Sequence, residues 1–254
     1  MLAIERRSNI LELLQEQKSV MVTDLSLRFK VTEETIRRDL EKLEKEGLLK
    51  RTYGGAVVKD VTQSDLPFKV REVKNMEGKL RIGAKVAELI EDGDSLMLDS
   101  SSTALYVAKS IKNKKRLTVI TNCYNIVLEL SGAKDFRIIC TGGTLNANAM
   151  SFVGHSAENF VQGYNADKAI VSCNGMDISK GITDSNEMEA EVKKSMAESS
   201  KKTFLAVDST KFNKVSFIKL MEYDKVDCII TDKQLPQEWE KMLKNRGIEI
   251  IYAV

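Results

Sequence analysis

Residues 31–55, VTEETIRRDLEKLEKEGLLKRTYGG, set a polar helix with two adjacent arginines beside a basic, aromatic, glycine-ended hairpin. Ile36, Leu40 and Leu43 fall at i, i+4 and i+7, the spacing of one apolar helix face. Thr32 is the better N-cap and Thr35 a weaker one. Glu33 and Glu34 occupy the first turn, where the positive end of a helix favours acids, and Gly47 stands where a left-handed residue would end it. At about 100° per residue, Arg38 lies nearly opposite the Ile36/Leu40 face. Glu34 and Glu41 share that outer side, flanked by Thr35, Arg37 and Lys42.

Taken alone, such a helix also satisfies a solvated surface. Its neighbours favour a groove-binding role. The stretch VTDLSLRF, residues 22–29, reads as a short helix with Leu25 and Phe29 inward, capped by Asp24 or Thr23. Lys30 and Val31 leave room only for a tight connection, so the two helices make a helix-turn-helix whose second helix enters a major groove. Residues 4–17 place Ile10, Leu13, Leu14 and Gln17 at helical intervals as a third, supporting helix. After Gly47, Lys50-Arg51-Thr52-Tyr53-Gly54-Gly55 leads into Ala56-Val57-Val58, two short strands with a glycine tip. Such a wing offers Arg51 to phosphate or the minor groove and lets the Gly54-Gly55 backbone approach a phosphate. The DNA-contacting residues expected are Thr32, Glu34, Thr35, Arg37, Arg38, Arg51, Tyr53, Gly54 and Gly55.

The run Thr35-Ile36-Arg37-Arg38-Asp39-Leu40, followed by Gly47 and Gly54-Gly55-Ala56, resembles the DNA-binding signature of the DeoR family of bacterial transcriptional regulators. The resemblance continues over most of the chain. It implies a winged helix-turn-helix followed by an effector domain that resembles the sugar-phosphate isomerase fold. It also implies repression of a carbohydrate-catabolism operon, released by a phosphorylated sugar. Activation by the same kind of protein and a sugar-phosphate isomerase-like enzyme are the alternatives.

Charge alone does not make this case. The 254 residues carry 39 Lys/Arg and 37 Asp/Glu; residues 1–59 hold 12 and 10 of them, leaving 27 of each beyond. The argument for DNA therefore rests on where the arginines stand, not on a bulk basic field. Hydrophobic residues make up 43%, which supports a substantial core, and no apolar run approaches the ~20 residues of a membrane span. Glu5, Arg6 and Arg7 interrupt any secretory leader, so a cytoplasmic protein is expected. The four cysteines, Cys123, Cys140, Cys173 and Cys228, are widely separated in apolar segments and are read as buried free thiols. His155 is the single histidine, and neither a metal nor a cofactor is expected.

The expected division is a winged helix-turn-helix domain over 1–58, a linker over 59–77 and an open, mostly parallel α/β effector domain over 78–254. In the last part, short apolar strands alternate with helices: strands near 95–98, 117–120, 136–140, 169–172, 203–207, 228–231 and 249–252, helices near 79–90, 104–111, 124–130, 154–161, 187–199 and 237–246. Ligands of such sheets bind beyond the carboxyl ends of the strands. Those ends repeatedly carry polar residues and glycine. Asp99-Ser100-Ser101-Ser102-Thr103 lies between a strand and a helix, so helix-start amides and hydroxyls there suit a phosphate cradle or, more plainly, a helix cap.

The family form of this loop is Asp-Ser-Gly-Thr-Thr, with serines here in the Gly-Thr part, and the resemblance makes it the phosphate site. The effector residues expected are Asp99, Ser100, Ser101, Ser102, Thr103, Asn122, Gly142, Gly143, Asp177, Thr183, Asp208 and Lys211. Lys193, on a charged helix, suits the solvated surface at least as well as a ligand contact, and His155 a structural or interface role more than a ligand contact. An isomerase of the resembling fold would need a carboxylate near Asp177 in reach of the transferred proton and a Lys-Gly-Gly-Gly-like loop. The chain has Asp177 but neither a glutamate beside it nor such a loop, so no catalytic residues are assigned. The expected partners are operator DNA, a phosphorylated sugar or related metabolite, and further copies of the chain in a dimer or tetramer.

Overall fold

The computed structural model describes residues 3–45, 47–57 and 66–254, and the chain divides into two compact units, Met1–Lys74 and Asn75–Val254. The first unit runs α1 (Ala3–Gln17), β1 (Ser19–Met21), α2 (Val22–Phe29), α3 (Glu33–Lys45), β2 (Lys50–Thr52), β3 (Gly55–Val57) and α4 (Phe68–Val73). Its core is built from the apolar faces that the spacing predicts: Ile10 and Leu14 from α1, Leu25 from α2, Ile36, Leu40 and Leu43 from α3, and Leu48 and Leu49 beyond it. Each such side chain removed from water stabilises the unit by about 1.5–3 kcal/mol before entropy is counted. Phe29 packs partly buried against this core, whereas Gln17 is exposed.

The turn between α2 and α3 is closed by its own backbone. Lys30 adopts φ 53°, and its N–H bonds back to Leu27 and Ser26. Ser26 then fastens the turn from both sides: its carbonyl accepts from Val31 N–H, and its hydroxyl donates to the Val31 carbonyl. Two details differ from the sequence reading. The wing is three-stranded, in the order β1-β3-β2 and antiparallel throughout, because Ser19–Met21 joins it. That strand has one inward residue, Val20, too few to show an alternation. Consequently α2 starts directly out of β1 with Met21 at its cap; Thr23 and Asp24 lie within the first turn and do not cap it. Of the segment 59–77, residues 59–65 fall outside the described residues, 68–73 form α4, and Val70 of α4 joins the first unit's core.

The second unit contains α5 (Met76–Glu88), β4 (Ser95–Leu98), α6 (Ser102–Ser110), β5 (Thr118–Thr121), α7 (Tyr124–Leu130), β6 (Arg137–Cys140), β7 (Thr144–Asn146), β8 (Ser151–Val153), α8 (His155–Gln162), β9 (Ala166–Val171), β10 (Gly175–Asp177), β11 (Gly181–Asp184), α9 (Glu187–Glu198), β12 (Ser200–Ala206), β13 (Ile218–Met221), β14 (Cys228–Thr231), α10 (Gln237–Asn245) and β15 (Glu249–Tyr252). Seven strands make one sheet in the order β15-β14-β12-β9-β4-β5-β6, and every neighbouring pair is parallel. The central strands are buried and near-continuously apolar, as in Leu96-Met97-Leu98 and Phe204-Leu205-Ala206. Two smaller antiparallel sheets are added at the strand ends, the hairpin β7-β8 and the trio β10-β11-β13.

Cys123, Cys173 and Cys228 are buried free thiols; burial pushes the last two up to about 12. Cys140 departs from the expectation and is half-buried, because it ends β6, an edge strand with a neighbour on one side only. Among the described residues, no helix is long and apolar enough to cross a membrane, and no group of three or more His, Cys, Asp or Glu is placed to hold a metal.

Candidate functional site

Two clusters carry the chemistry, one in each unit. In the first unit, α3 turns Ile36, Asp39, Leu40 and Leu43 inward and leaves the opposite side to solvent. Thr32 caps this helix by accepting Thr35 N–H at 3.3 Å, and the two hydroxyls lie 2.9 Å apart. Arg37 reaches Glu33 at 2.6 Å and Arg38 reaches Glu34 at 3.4 Å, one turn apart along the helix; the Arg38 side chain is 78% exposed. Lys45 pairs with Glu41 in the same way. Counting Asp39, α3 holds five acids and four bases. Exposed pairs of this kind contribute at most about 1 kcal/mol each, so the arginines are free to exchange a glutamate for another acceptor.

Asp39 has a different task. It is buried, accepts Arg6 Nε at 2.6 Å and Arg7 Nη1 at 3.3 Å, and so locks α3 to α1. The sequence reading passed over it because it follows two arginines in a charged run. Its position three residues beyond Ile36, on the apolar face, is the signal that marks it as inward.

In the wing, Arg51 is held against α3: its backbone N–H and its Nε both donate to the Glu44 carboxylate, each at 2.8 Å. Those hydrogen bonds keep Glu44 ionised below the usual carboxylate range. Tyr53 projects fully into solvent at the tip. Gly54 has φ 93° and is exposed, whereas Gly55 is buried. A Cβ on Gly55 would collide with the Val20 carbonyl, so this glycine makes room for β1 and its backbone does not face outward.

In the second unit, the parallel sheet brings the carboxyl ends of its strands to one edge. In spatial order these are Asp232 after β14, Asp208 after β12, Ser172 after β9, Asp99 after β4, Asn122 after β5 and Thr141-Gly142-Gly143 after β6. Asp99 is completely buried. Its Oδ1 accepts Ser101 N–H at 3.1 Å and Ser101 hydroxyl at 2.5 Å, while Oδ2 accepts Ser172 N–H at 2.9 Å. Ser101 is the N-cap of α6, its hydroxyl accepting Ala104 N–H at 3.0 Å. Its φ of −77° is open to any L-residue, so serine costs this loop no strain where the family form has glycine. Ser100, Ser102 and Thr103 are buried beside it. The Ser100 hydroxyl and Asn122 Oδ1 are buried without a hydrogen-bond partner, and Asn122 Nδ2 donates to the Phe152 carbonyl. Gly142 and Gly143 take φ 66° and 108°, and a Cβ on Gly143 would stand 2.8 Å from the Val153 carbonyl.

Asp208 is buried and caps the short 3-10 turn Ser209–Lys211, accepting Thr210 N–H at 3.0 Å and its hydroxyl at 2.5 Å. Burial alone would push its carboxyl up. The charges of Lys211 and Lys79 and the Thr210 hydrogen bonds outweigh that and hold it below the usual value. Asp232, absent from the expected set, sits beside it and accepts Ser209 N–H at 2.6 Å and Asn75 Nδ2 at 3.0 Å.

Asp177 and Thr183 are placed differently. Asp177 belongs to the β10-β11 hairpin, where its Oδ1 accepts Ser179 N–H, Ser179 hydroxyl and Lys180 N–H at 2.7–2.9 Å. Those bonds from Ser179 and Lys180 lower its pKa, leaving a turn-forming carboxylate and a poor proton acceptor. The Thr183 hydroxyl is taken up by the Gly175 carbonyl and Ser216 N–H.

Of the two roles open to Lys193, the solvated surface is excluded. It is only 4% exposed, and its Nζ donates to Asp184 Oδ2 at 2.6 Å and to the Ser172 carbonyl at 3.2 Å, with Asp99 Oδ2 at 3.4 Å. Burial would lower its pKa, but the carboxylates of Asp184, Asp99 and Glu189 reverse this and keep it charged. Glu189, one turn earlier on α9, is also buried and accepts the Ser151 hydroxyl at 2.8 Å. Glu189, Lys193 and Met196 fall at helical intervals on one face, a period that outweighs the charges as an indicator of burial. His155 is exposed at the start of α8.

Comparison with known proteins joins these two clusters. Residues 6–62 match the DeoR-like helix-turn-helix domain and residues 74–233 match the DeoR C terminal sensor domain. The chain is 40% identical over 250 residues to an uncharacterized HTH-type transcriptional regulator, YulB, of Bacillus subtilis, covering 98% of this chain and 96% of that protein. It is 34% identical to the L-fucose operon activator of Haemophilus influenzae (94% and 96% covered) and 30% identical to the glycerol-3-phosphate regulon repressor of Escherichia coli (97% and 97% covered). With a helix-turn-helix whose arginines face solvent and a sensor domain matched along most of its length, the chain belongs to the DeoR family of helix-turn-helix transcriptional regulators.

Proposed function

We propose that the protein represses a carbohydrate-catabolism operon and is released by a phosphorylated sugar that binds at the strand-end cluster. The observation that carries the effector half is the convergence of Asp99, Ser100, Ser101, Ser102, Thr103, Asn122, Gly142, Gly143, Asp208 and Lys211 along one edge of a wholly parallel sheet. Carboxylates and amides suit sugar hydroxyls, and helix-start amides with hydroxyls suit a phosphate. The DNA half rests on α3, whose outer face carries Glu34, Thr35, Arg37 and Arg38, with Arg51, Tyr53 and Gly54 in the wing. The proposed division is 1–58 for DNA, 59–77 as connector and 78–254 for the effector, with α4 of the connector packed on the first unit and α5 of the second unit beginning within it at Met76.

The protein acts in the cytoplasm as a dimer or tetramer, placing helix-turn-helix heads on half-sites about one helical turn, or a multiple of it, apart. Effector lowers operator affinity by favouring the arrangement that does not match the half-sites. It binds its metabolite without turning it over, since the hairpin bonds to one Asp177 oxygen lower the carboxylate's pKa and make it a poor proton acceptor. Activation is the second reading, favoured by the likeness to the L-fucose operon activator; its sign depends on where the operator lies.

The test is operator binding by fluorescence anisotropy, with and without a panel of pentose, hexose and triose phosphates. One of them lowers operator affinity and raises the melting temperature, a ligand at ~100 times its Kd adding about 2.7 kcal/mol. No response to any phosphorylated sugar refutes the effector reading, and interconversion of pentose phosphates at enzymatic rates refutes the absence of turnover.

A further inference from the structure

Lys193 stands at the junction of four segments of the second unit. It belongs to α9, pairs with Asp184 at the end of β11, donates to the carbonyl of Ser172 after β9 and lies 3.4 Å from Asp99 after β4. Asp99 divides its two oxygens. Oδ2 faces Ser172 N–H and Lys193, and Oδ1 faces Ser101, whose hydroxyl in turn caps α6 at Ala104 N–H. An unbroken series of polar contacts therefore runs Asp184, Lys193, Asp99, Ser101, Ala104, every member at most 6% exposed. Around the single ammonium stand three buried carboxylates, Asp99, Asp184 and Glu189.

Charge balance alone does not explain this geometry. A lysine needed only to neutralise Asp184 has no reason to reach also the β9 end and the Asp99 oxygen turned away from the loop. Asp99, for its part, already has three donors from Ser101 and Ser172. What Lys193 adds is a charged group on the sheet side of Asp99, which with Ser172 N–H holds the plane of the carboxylate so that its other oxygen faces the Ser101 cap.

We propose that Lys193 is a positioning residue for the effector loop, holding Asp99 and through it the Ser101 cap of α6 in the arrangement that receives the ligand. The inference rests on the effector reading above and assigns Lys193 no contact with the ligand itself. It makes effector response, not operator binding, the property that depends on Lys193.

The experiment compares the full-length wild type with Lys193→Met and with the double variant Lys193→Met/Asp184→Asn. The single variant strands two or three buried carboxylates and is expected to lose thermal stability. The double variant removes the charge that Lys193 chiefly balances and recovers it. Three readouts are taken: melting temperature, operator affinity by anisotropy, and the shift in both produced by a panel of phosphorylated sugars, with inorganic phosphate as a further probe. Amide hydrogen exchange at Ser101–Ala104 is followed in the absence of any ligand. The expected double variant binds operator within about threefold of wild type, exchanges the 101–104 amides at least tenfold faster, and needs at least thirtyfold more sugar phosphate to respond, or does not respond. If it instead regains both wild-type exchange and wild-type response, Lys193 serves only to balance charge and the inference is overturned, while the effector reading stands. A wild type deaf to every probe overturns the effector reading and this inference together.

Discussion

Helix α3 of the first unit and the Lys193 cluster of the second use ion pairs in opposite ways. On α3, Arg37–Glu33, Arg38–Glu34 and Lys45–Glu41 lie in water, each joining residues four apart on one helix. In the second unit, Lys193 with Asp184 and Asp99 lies out of water and joins separate elements. An exposed pair is weak because water screens it, so it can be traded for a phosphate or a base edge at little cost. A buried pair contributes little net stability once desolvation is counted, but removing one partner leaves an uncompensated charge, and that dictates geometry. The first arrangement suits a surface that must re-partner, the second a site that must keep its shape.

The contrast is not simply one unit against the other, because Asp39 places a buried pair inside the DNA-binding head. Asp39→Ala is the sharpest way to show it. With Arg6 left buried and unpaired, the head loses about 3–5 kcal/mol in denaturant unfolding. An Arg6→Met/Asp39→Leu double variant recovers much of that loss, which exposed-pair behaviour would not produce. The residue next to it on α3 has the reverse phenotype. Arg38→Ala weakens operator binding by about 1–3 kcal/mol if it reads a base, while unfolding shifts by less than about 0.5 kcal/mol. Unchanged operator affinity and sequence preference would remove Arg38 from the interface.

A smaller effect is expected at Asp208. Its folded pKa lies below the ordinary carboxylate value, so the stability it contributes is present above about pH 4 and is lost as pH falls through the folded value. Asp208→Asn should therefore melt lower at neutral pH and show a shallower acid limb in a melting-temperature profile; an unaltered limb would contradict the assignment. The smallest change is Glu33→Gln. It frees Arg37 at a stability difference below about 0.5 kcal/mol, and by removing a negative charge it tightens binding to operator and to random duplex alike. Selective tightening on operator alone would give Glu33 a reading role.

These residues also show what a linear reading can and cannot reach. Val22–Phe29, Ser95–Leu98, Tyr124–Leu130, Cys228–Thr231 and Glu249–Tyr252 have the same bounds in the chain's pattern and in the fold, because each is a closed apolar or amphipathic run between turn formers. The three- and four-residue strands Ser19–Met21, Thr144–Asn146, Ser151–Val153, Gly175–Asp177 and Ile218–Met221 escape it. Ser19–Met21 and Ile218–Met221 exist through pairing with distant partners, and the other three pair across short hairpins without a closed apolar run of their own. At the strand ends, residue type and position following a strand mark Asp99, Asn122 and Asp208 without tertiary information. Asp232 meets the same rule, following Cys228–Thr231, and is simply missing from the expected set, whereas Lys193 needs tertiary information, since a lysine on a helix with five other charged residues looks solvated until its partners are known. Gly55 makes the complementary point: a glycine beside a positive-φ glycine was read as part of the outward tip, yet its backbone is covered by a strand that the pattern did not reveal.

The charge balance of α3, five acids against four bases, also bears on how the protein finds its operator. A helix with no net positive charge is drawn only weakly toward the ion atmosphere of arbitrary duplex, so time spent on wrong sequences is short and one-dimensional sliding is curtailed. On the proposed reading, in which Glu34 and Arg38 meet base edges, search proceeds by repeated brief collisions and their fit sets the dwell time at a site. In single-molecule tracking this protein should show short, sparsely sliding visits to random DNA, with a dwell time that lengthens in Glu33→Gln.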